Sequence, residues 1–351
     1  MKPRKVFISA SNVTVVHRRG RKGSAISRRN LIFLGCLLFI WSVVLWNVGQ
    51  WWFSTIRLCN GSSMLFLRNL PAPNFRSILS ADPATLRVEV ESKVDVVHFG
   101  GYWTPEGWTC SPTKRIAVII PAISSLYHWN VLYALLERLH PILQRQRAEY
   151  KVFVASEKHN RTNYGKLLNS VATVLSNEEP WISCFIFHPF SLFPQTDLIS
   201  YACSFESGVG AHQISNKDKL LELNTAANDN QTFASPIECD VGPSVLAVSK
   251  WSFQKVNGFP NRLDCNGDAC LQQKHLIERL AEDAKLSFTT DPMAAFYSYR
   301  PQNQKQLPAH DDCTGRRKLI TDHGKDGLST LGRFGVNRTA TKLFTKIEIW
   351  S

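Results

Sequence analysis

Apolar and polar residues fall into alternating blocks along the middle of the chain. Residues 116–120 (IAVII) form a short apolar run stopped by Pro121, with the length and composition of a buried strand. Residues 126–147 then repeat apolar side chains at helical spacing, at Leu132, Leu135, Leu136, Leu139 and Leu143, with a bend expected at Pro141. Residues 151–155 (KVFVA) predict a second strand, 163–175 a second helix and 184–187 (CFIF) a third strand. This alternation predicts an α/β domain with a parallel sheet and right-handed crossovers, a nucleotide-binding type of half-domain. Proline has no N–H to give to a ladder, so the third strand should end at His188-Pro189. Ligands of open α/β sheets bind at the carboxyl ends of strands, which places His188 to Leu192 along any active site. No GxGxxG and no P-loop follows the first strand, so periodicity alone stops at an α/β domain of unknown ligand.

The longest apolar run is elsewhere. Residues 31–53 (LIFLGCLLFIWSVVLWNVGQWWF) carry no charge, and a helix of that length crosses roughly 30 Å of hydrocarbon. Trp51 and Trp52 stand at its far end, where indole rings favour the interface. A cleaved signal peptide would have a shorter apolar region and small residues at a cleavage site. Residues 1–30 hold nine basic residues and no acid, so the positive-inside rule keeps them in the cytosol and sends the rest to the lumen. The expected organisation is a basic tail (1–30), a transmembrane signal anchor (31–53), a Pro- and Ser-containing stem (54–94) and a lumenal domain (95–351).

Charge changes this picture little. The net charge is +13, and subtracting the nine tail cations leaves +4 over the remaining chain. No basic patch with interleaved aromatics remains, which argues against a nucleic-acid partner. The 44% apolar content excludes a disordered protein. Eight of nine cysteines lie beyond the apolar run and none has zinc-ligand spacing, so disulfides are expected. Sequence leaves open the pairing of Cys59, Cys110, Cys239, Cys265, Cys270 and Cys313. Asn60, Asn160, Asn230 and Asn337 head Asn-x-Ser/Thr triplets on the expected lumenal side.

Specific stretches go further. Gly100-Gly101-Tyr102-Trp103-Thr104-Pro105 with Cys110, Leu139 to Gln146 (LHPILQRQ) with Tyr150, and Lys166 to Asn169 (KLLN) occur in order. Asn257 to Asn261 (NGFPN), Asp326-Gly327-Leu328 and Leu343-Phe344-Thr345 follow. This series resembles the catalytic domain of β-1,4-galactosyltransferases, from about residue 100 to 349. The resemblance implies a GT-A, Rossmann-like glycosyltransferase domain behind an N-terminal transmembrane helix, in the Golgi membrane. It implies a disulfide between Cys184 and Cys203, and enzymes that use UDP-galactose or UDP-N-acetylgalactosamine with Mn²⁺.

The sequence departs from that family where chemistry demands a residue type. Of the family's Pro-Phe-Arg-Asn-Arg only Pro121 matches, and of Phe-Asn-Arg only Asn163, so both are thin candidates for nucleotide contacts. A diphosphate needs cationic donors or a metal, and these arginines are missing. Pro189, Phe190 and Ser191 occupy the place of the family's Asp-x-Asp metal site. A hard divalent cation needs carboxylate oxygens, and the only acid between Cys184 and Cys203 is Asp197. No His lies between His275 and His310 to supply the family's late metal ligand. The family's acidic base motif aligns either with Ala269 to Gln272 or, after three inserted residues, with Gln272 to His275; neither register contains a carboxylate. Asp264, Asp268 and His275 are the remaining catalytic candidates, although a Gly/Asn-rich loop uses Asp more often for turns. A scaffold kept while chemistry is removed predicts an inactive family member: no catalytic residue, no metal and no cofactor. Its expected partners are the Golgi membrane and a glycan acceptor or another glycosyltransferase. The alternatives are an active hexosyltransferase with a relocated site and a lectin-like glycan binder.

Overall fold

The computed structural model describes residues 41–43, 69–94, 97–105, 115–121, 126–146, 148–158, 163–201, 203, 210–215, 220–223, 244–261, 269–283, 287–290, 294–299 and 325–350. The chain divides into two units, Met1–Ile56 and Arg57–Ser351. Of the first, residues 41–43 are described, and they are helical and exposed. The rest of the expected membrane span lies outside the described residues, among which no helix is long and apolar enough to cross a membrane.

The second unit opens with two helices, α1 (Phe75–Ser80) and α2 (Pro83–Lys93). Asn74 and Asp82 cap them by accepting from the backbone N–H groups of Ser77 and Thr85, and Pro83 sits at the first turn where its missing N–H costs nothing. Phe75, Val90 and Val94 are buried in the domain core, and Leu70 N–H donates to the Gln195 carbonyl. Residues 69–94 therefore belong to the domain rather than to a free stem. Their apolar side chains are too sparse to signal a helix, and tertiary contact supplies what local pattern lacks.

The strands follow: β1 (Tyr102–Trp103), β2 (Arg115–Pro121), β3 (Glu149–Glu157), β4 (Cys184–Phe187), β5 (Leu192–Pro194), β6 (Gly210–Gln213), β7 (Leu220–Leu223), β8 (Leu246–Ser249), β9 (Ser287–Thr290), β10 (Phe296–Tyr299), β11 (Gly335–Ala340) and β12 (Thr345–Trp350). Helix α3 (Leu126–Arg145) joins β2 to β3 and α4 (Tyr164–Glu178) joins β3 to β4. The expected helices and strands thus appear, with ends shifted by up to three residues. Helices α5 (Lys250–Lys255) and α6 (Ala269–Glu282) come later in the chain.

The main sheet runs β11-β12-β3-β2-β4-β8-β6-β9, with β1 on the early part of β3. It is parallel through β12, β3, β2 and β4, then turns mixed, because β8 pairs antiparallel with both β4 and β6. The expectation of a parallel sheet holds only for that first half. Strand alternation divides the core between two faces: Ile116, Val118 and Ile120 join one cluster with α3, while Ala117 and Ile119 join the other with α4. A smaller sheet, β5-β10-β7, stands apart from the main one.

Candidate functional site

The carboxyl end of β4 is the place where the fold would present chemistry. The His188 N–H donates to the Ile119 carbonyl at 3.0 Å, which continues the ladder one residue beyond the strand. The chain then turns through Pro189 and Phe190, and Leu192 N–H closes the turn on the Pro189 carbonyl at 3.2 Å. Ser191 gives its carbonyl to the N–H of Tyr299, tying the turn to the smaller sheet.

His188 is fully buried. Its Nδ1 lies 2.9 Å from the Pro189 carbonyl, which only accepts, so Nδ1 carries the proton. Its Nε2 lone pair then accepts from the Tyr201 hydroxyl at 3.1 Å, and the two rings stack with centroids 5.8 Å apart. Burial pushes the imidazole pKa down to about 4, so the ring is neutral. Both nitrogens are spent on neighbours, leaving His188 no lone pair for a cation.

Around it, Pro189 is buried and Phe190 and Ser191 are half-buried, with no carboxylate in the turn. Asp197 is buried, and its carboxylate faces the Arg145 guanidinium on α3 at 3.4 Å. Among the described residues no group of three or more His, Cys, Asp or Glu could hold a metal. The donor chemistry of this turn does not fit a hard divalent ion, which requires several oxygens.

The other candidates separate. Pro121 ends β2, buried opposite Ala155. Asn163 is the N-cap of α4: its Oδ1 accepts from Lys166 N–H at 2.9 Å and from Gln272 Nε2 at 3.0 Å, and its Nδ2 donates to the Asn261 carbonyl at 2.9 Å. Gln272 on α6 in turn accepts from Gly165 N–H. A Cβ at Gly165 would run into the Pro260 carbonyl, so this corner is packed backbone to backbone. Asn163 thereby fastens α4 to α6 and the 257–261 loop. His275 is also on α6, with Nδ1 2.8 Å from the Glu278 carboxylate and a buried Nε2 that bonds to nothing among the described residues. Burial lowers its pKa, against the opposing pull of Glu278. Asp264 and Asp268 lie outside the described residues. Both registers of the acidic motif fall at α6, where Gln272, Gln273 and Arg279 are buried.

Residues 74–204 match the family described as the N-terminal region of glycosyl transferase group 7. β-1,4-Galactosyltransferase 4 of Cricetulus griseus is 34% identical over 203 residues, covering 56% of this chain and 52% of that protein. β-1,4-Galactosyltransferase 2 of Homo sapiens is 34% identical over 166 residues, covering 47% and 39%. Over these residues the chain is similar to the β-1,4-galactosyltransferases. It spans about half the length of the curated relatives it matches. The solved structure of a Drosophila β-1,4-galactosyltransferase 7 mutant with manganese, UDP-Gal and xylobiose shares the fold, with a TM-score of 0.52 at 18% identity, over 68% of this chain and 94% of that one. The α/β domain here thus has the GT-A type of fold.

Each galactosyltransferase motif that the chain retains has a structural task. Gly100 and Gly101 adopt positive φ (90° and 72°), and a Cβ at Gly101 would collide with the Leu343 carbonyl. His140, fully buried, bridges Tyr150 hydroxyl and Leu343 carbonyl, each at 2.9 Å. Gln146 grips the 199–201 segment, donating to the Ile199 carbonyl at 2.6 Å and accepting from Tyr201 N–H at 2.9 Å. Asn169 holds Phe259 by both its N–H and its carbonyl. Asn261 N–H donates to Asp326, and Leu328 N–H to the Asn257 carbonyl, each at 2.9 Å. Cys184 and Cys203 are disulfide-bonded, with Cα atoms 6.2 Å apart, as the family resemblance implied.

Sequence reasoning assigned no role to Tyr201, Gln272 and Arg279. Arg279 donates to the carbonyls of Gly258 and Asp326, both at 2.9 Å. The helical spacing of Gln272, Leu276, Arg279 and Leu280 was the available signal. Among the four sequons, Asn337 is exposed on β11, and Asn60, Asn160 and Asn230 lie outside the described residues.

Proposed function

We propose that this chain is a single-pass type II protein of the Golgi membrane whose lumenal galactosyltransferase-family domain no longer transfers sugar and serves as a partner subunit in glycosylation. The observation that carries the reading is the β4 turn. Where a metal-dependent transferase needs carboxylates to bridge protein and diphosphate, this chain has Pro189, Phe190 and Ser191 beside a neutral, fully engaged His188. Stabilising the leaving diphosphate is commonly the largest electrostatic contribution to such a transfer, and losing one donor typically costs about 3 kcal/mol. Asn163, the surviving residue of a nucleotide motif, is occupied with capping a helix. The membrane placement is supported by residues 31–53 and the nine preceding cations.

The test is calorimetry of the full chain in detergent with UDP-galactose and Mn²⁺, run beside a galactose-transfer assay. The expected result is no heat and no product, while Mn²⁺-dependent transfer would overturn the reading. Heat with a neutral glycan acceptor alone would favour a lectin over a partner subunit. Topology is checked separately by endoglycosidase treatment of the cell-expressed protein. A mobility shift that disappears in part with Asn337→Gln is expected, and no shift would contradict lumenal placement.

A further inference from the structure

A cleft of about 310 Å³ opens on the α3 face of the domain, away from the β4 turn. Its floor is aromatic: Trp129 and Tyr133 on α3, with Phe344 from the loop before β12. Tyr133 and Phe344 are buried, and Trp129, half-buried, lies nearly parallel to Phe344 with centroids 6.1 Å apart. Two cations stand on the rim, Arg87 from α2 and Lys346 from β12, together with Thr339 from β11. Both cations have acidic partners, and Arg87 also reaches the Tyr133 hydroxyl. Arg87 pairs with Glu91 at 3.4 Å and Lys346 with Glu348 at 3.1 Å, with Arg87 50% and Lys346 29% exposed. Exposed pairs of this kind contribute under about 1 kcal/mol, so either cation can turn to a ligand without large loss.

We infer that this cleft is a binding site for an acidic sugar, one carrying a carboxylate or sulfate. A half-exposed indole offers a flat apolar face that fits the C–H face of a pyranose while leaving the ring hydroxyls at the rim. Arg87 and Lys346 supply charge-assisted donors for an anionic substituent, and Thr339 adds a donor and acceptor for a hydroxyl. The volume is at the low end of the roughly 300–1,000 Å³ of small-molecule sites, room for one or two sugar rings rather than a nucleotide sugar. No residue of the β2 or β4 carboxyl ends lines the cleft, so it is separate from the place where the family fold would hold a donor. The site suits a chain that handles glycans without transferring them, and in that respect the inference rests on the proposed function.

The experiment titrates the full chain in detergent with methyl β-glucuronide and with methyl β-galactoside, following tryptophan fluorescence and saturation-transfer NMR. Saturable binding of the glucuronide is expected, at least tenfold weaker for the galactoside. Lys346→Gln and Arg87→Gln, both surface changes that leave the fold intact by circular dichroism, should each weaken glucuronide binding about tenfold. Trp129→Ala should abolish the fluorescence response. Absence of saturable glucuronide binding overturns the inference, as does equal binding of the two glycosides, or binding unchanged in the two rim variants. Galactose transfer from UDP-galactose by the same preparation would defeat the inactive-transferase reading yet leave glucuronide binding at this cleft to be decided by its own titration.

Discussion

Two histidines set the behaviour of the domain at the residue scale. His140 and His188 are fully buried with both ring nitrogens engaged, and burial holds each pKa at about 4, below the ordinary 6.5. A depressed pKa means that the unfolded chain binds protons the folded chain does not, so stability is fully present above about pH 6.5 and is lost as pH falls toward 4. A shift of that size corresponds to roughly 3 kcal/mol for each residue. The urea midpoint should therefore stay level from pH 8 to 7 and drop steeply between 6.5 and 4. His188→Asn should lower the midpoint at pH 7 and flatten the drop, whereas an unchanged slope in that variant would show that His188 titrates normally. Sequence placed His188 correctly at the end of a strand. Its stacking partner Tyr201 was not legible, since nothing local links positions 13 residues apart.

At the scale of elements, the strands with continuous apolar runs were readable because burial on both faces leaves one composition and no ambiguity. The β2–α3–β3–α4–β4 series follows from that. Strands β8 (LAVS) and β9 (SFTT) are four residues long and carry little pattern, so the antiparallel pairing that makes the sheet mixed could not be seen. The helices at 75–93 were hidden for a related reason: Phe75, Val90 and Val94 reach the core singly, among prolines and polar residues. The Cys184–Cys203 bond closes a loop of 19 residues that includes the whole β4 turn and β5. Cross-linking a loop of that length stabilises by roughly 3 kcal/mol. Cys203→Ser should lower the melting temperature by several degrees without changing the secondary-structure content, measured by circular dichroism; an unchanged melting temperature would mean that Gln146 already holds this loop without the covalent tie.

For the whole molecule, the motifs shared with galactosyltransferases serve long-range packing. GGYW, LHPILQRQ, KLLN, NGFPN and DGL all act as clamps between segments far apart in sequence, such as Asn169 with Phe259 and Asn257 with Leu328. Their role in packing was not legible from spacing, because each clamp is a long-range hydrogen bond, but their order along the chain was enough to indicate the fold. The proposed loss of chemistry centres on the β4 turn, where Pro189, Phe190 and Ser191 supply no carboxylate. Restoring carboxylates alone, with Pro189→Asp and Ser191→Asp, should still yield no Mn²⁺-dependent galactose transfer in a radiolabelled UDP-galactose assay. Transfer by that double variant would show that the arginines and base had been replaced from elsewhere in the chain.

Strand β12 has a temporal consequence. It lies between β3 and β11 and pairs Thr345 with Phe153, positions about 190 residues apart. At a synthesis rate of roughly 5–20 residues per second, β3 waits on the order of 10–40 s for its neighbour. Through that interval much of one side of β3 is an open strand edge beside apolar residues, the kind of surface that chaperones bind and that aggregates if left alone. Stalled nascent chains ending near residue 320 should remain protease-sensitive throughout the domain. Chains long enough to release residue 350 should become resistant in a single step.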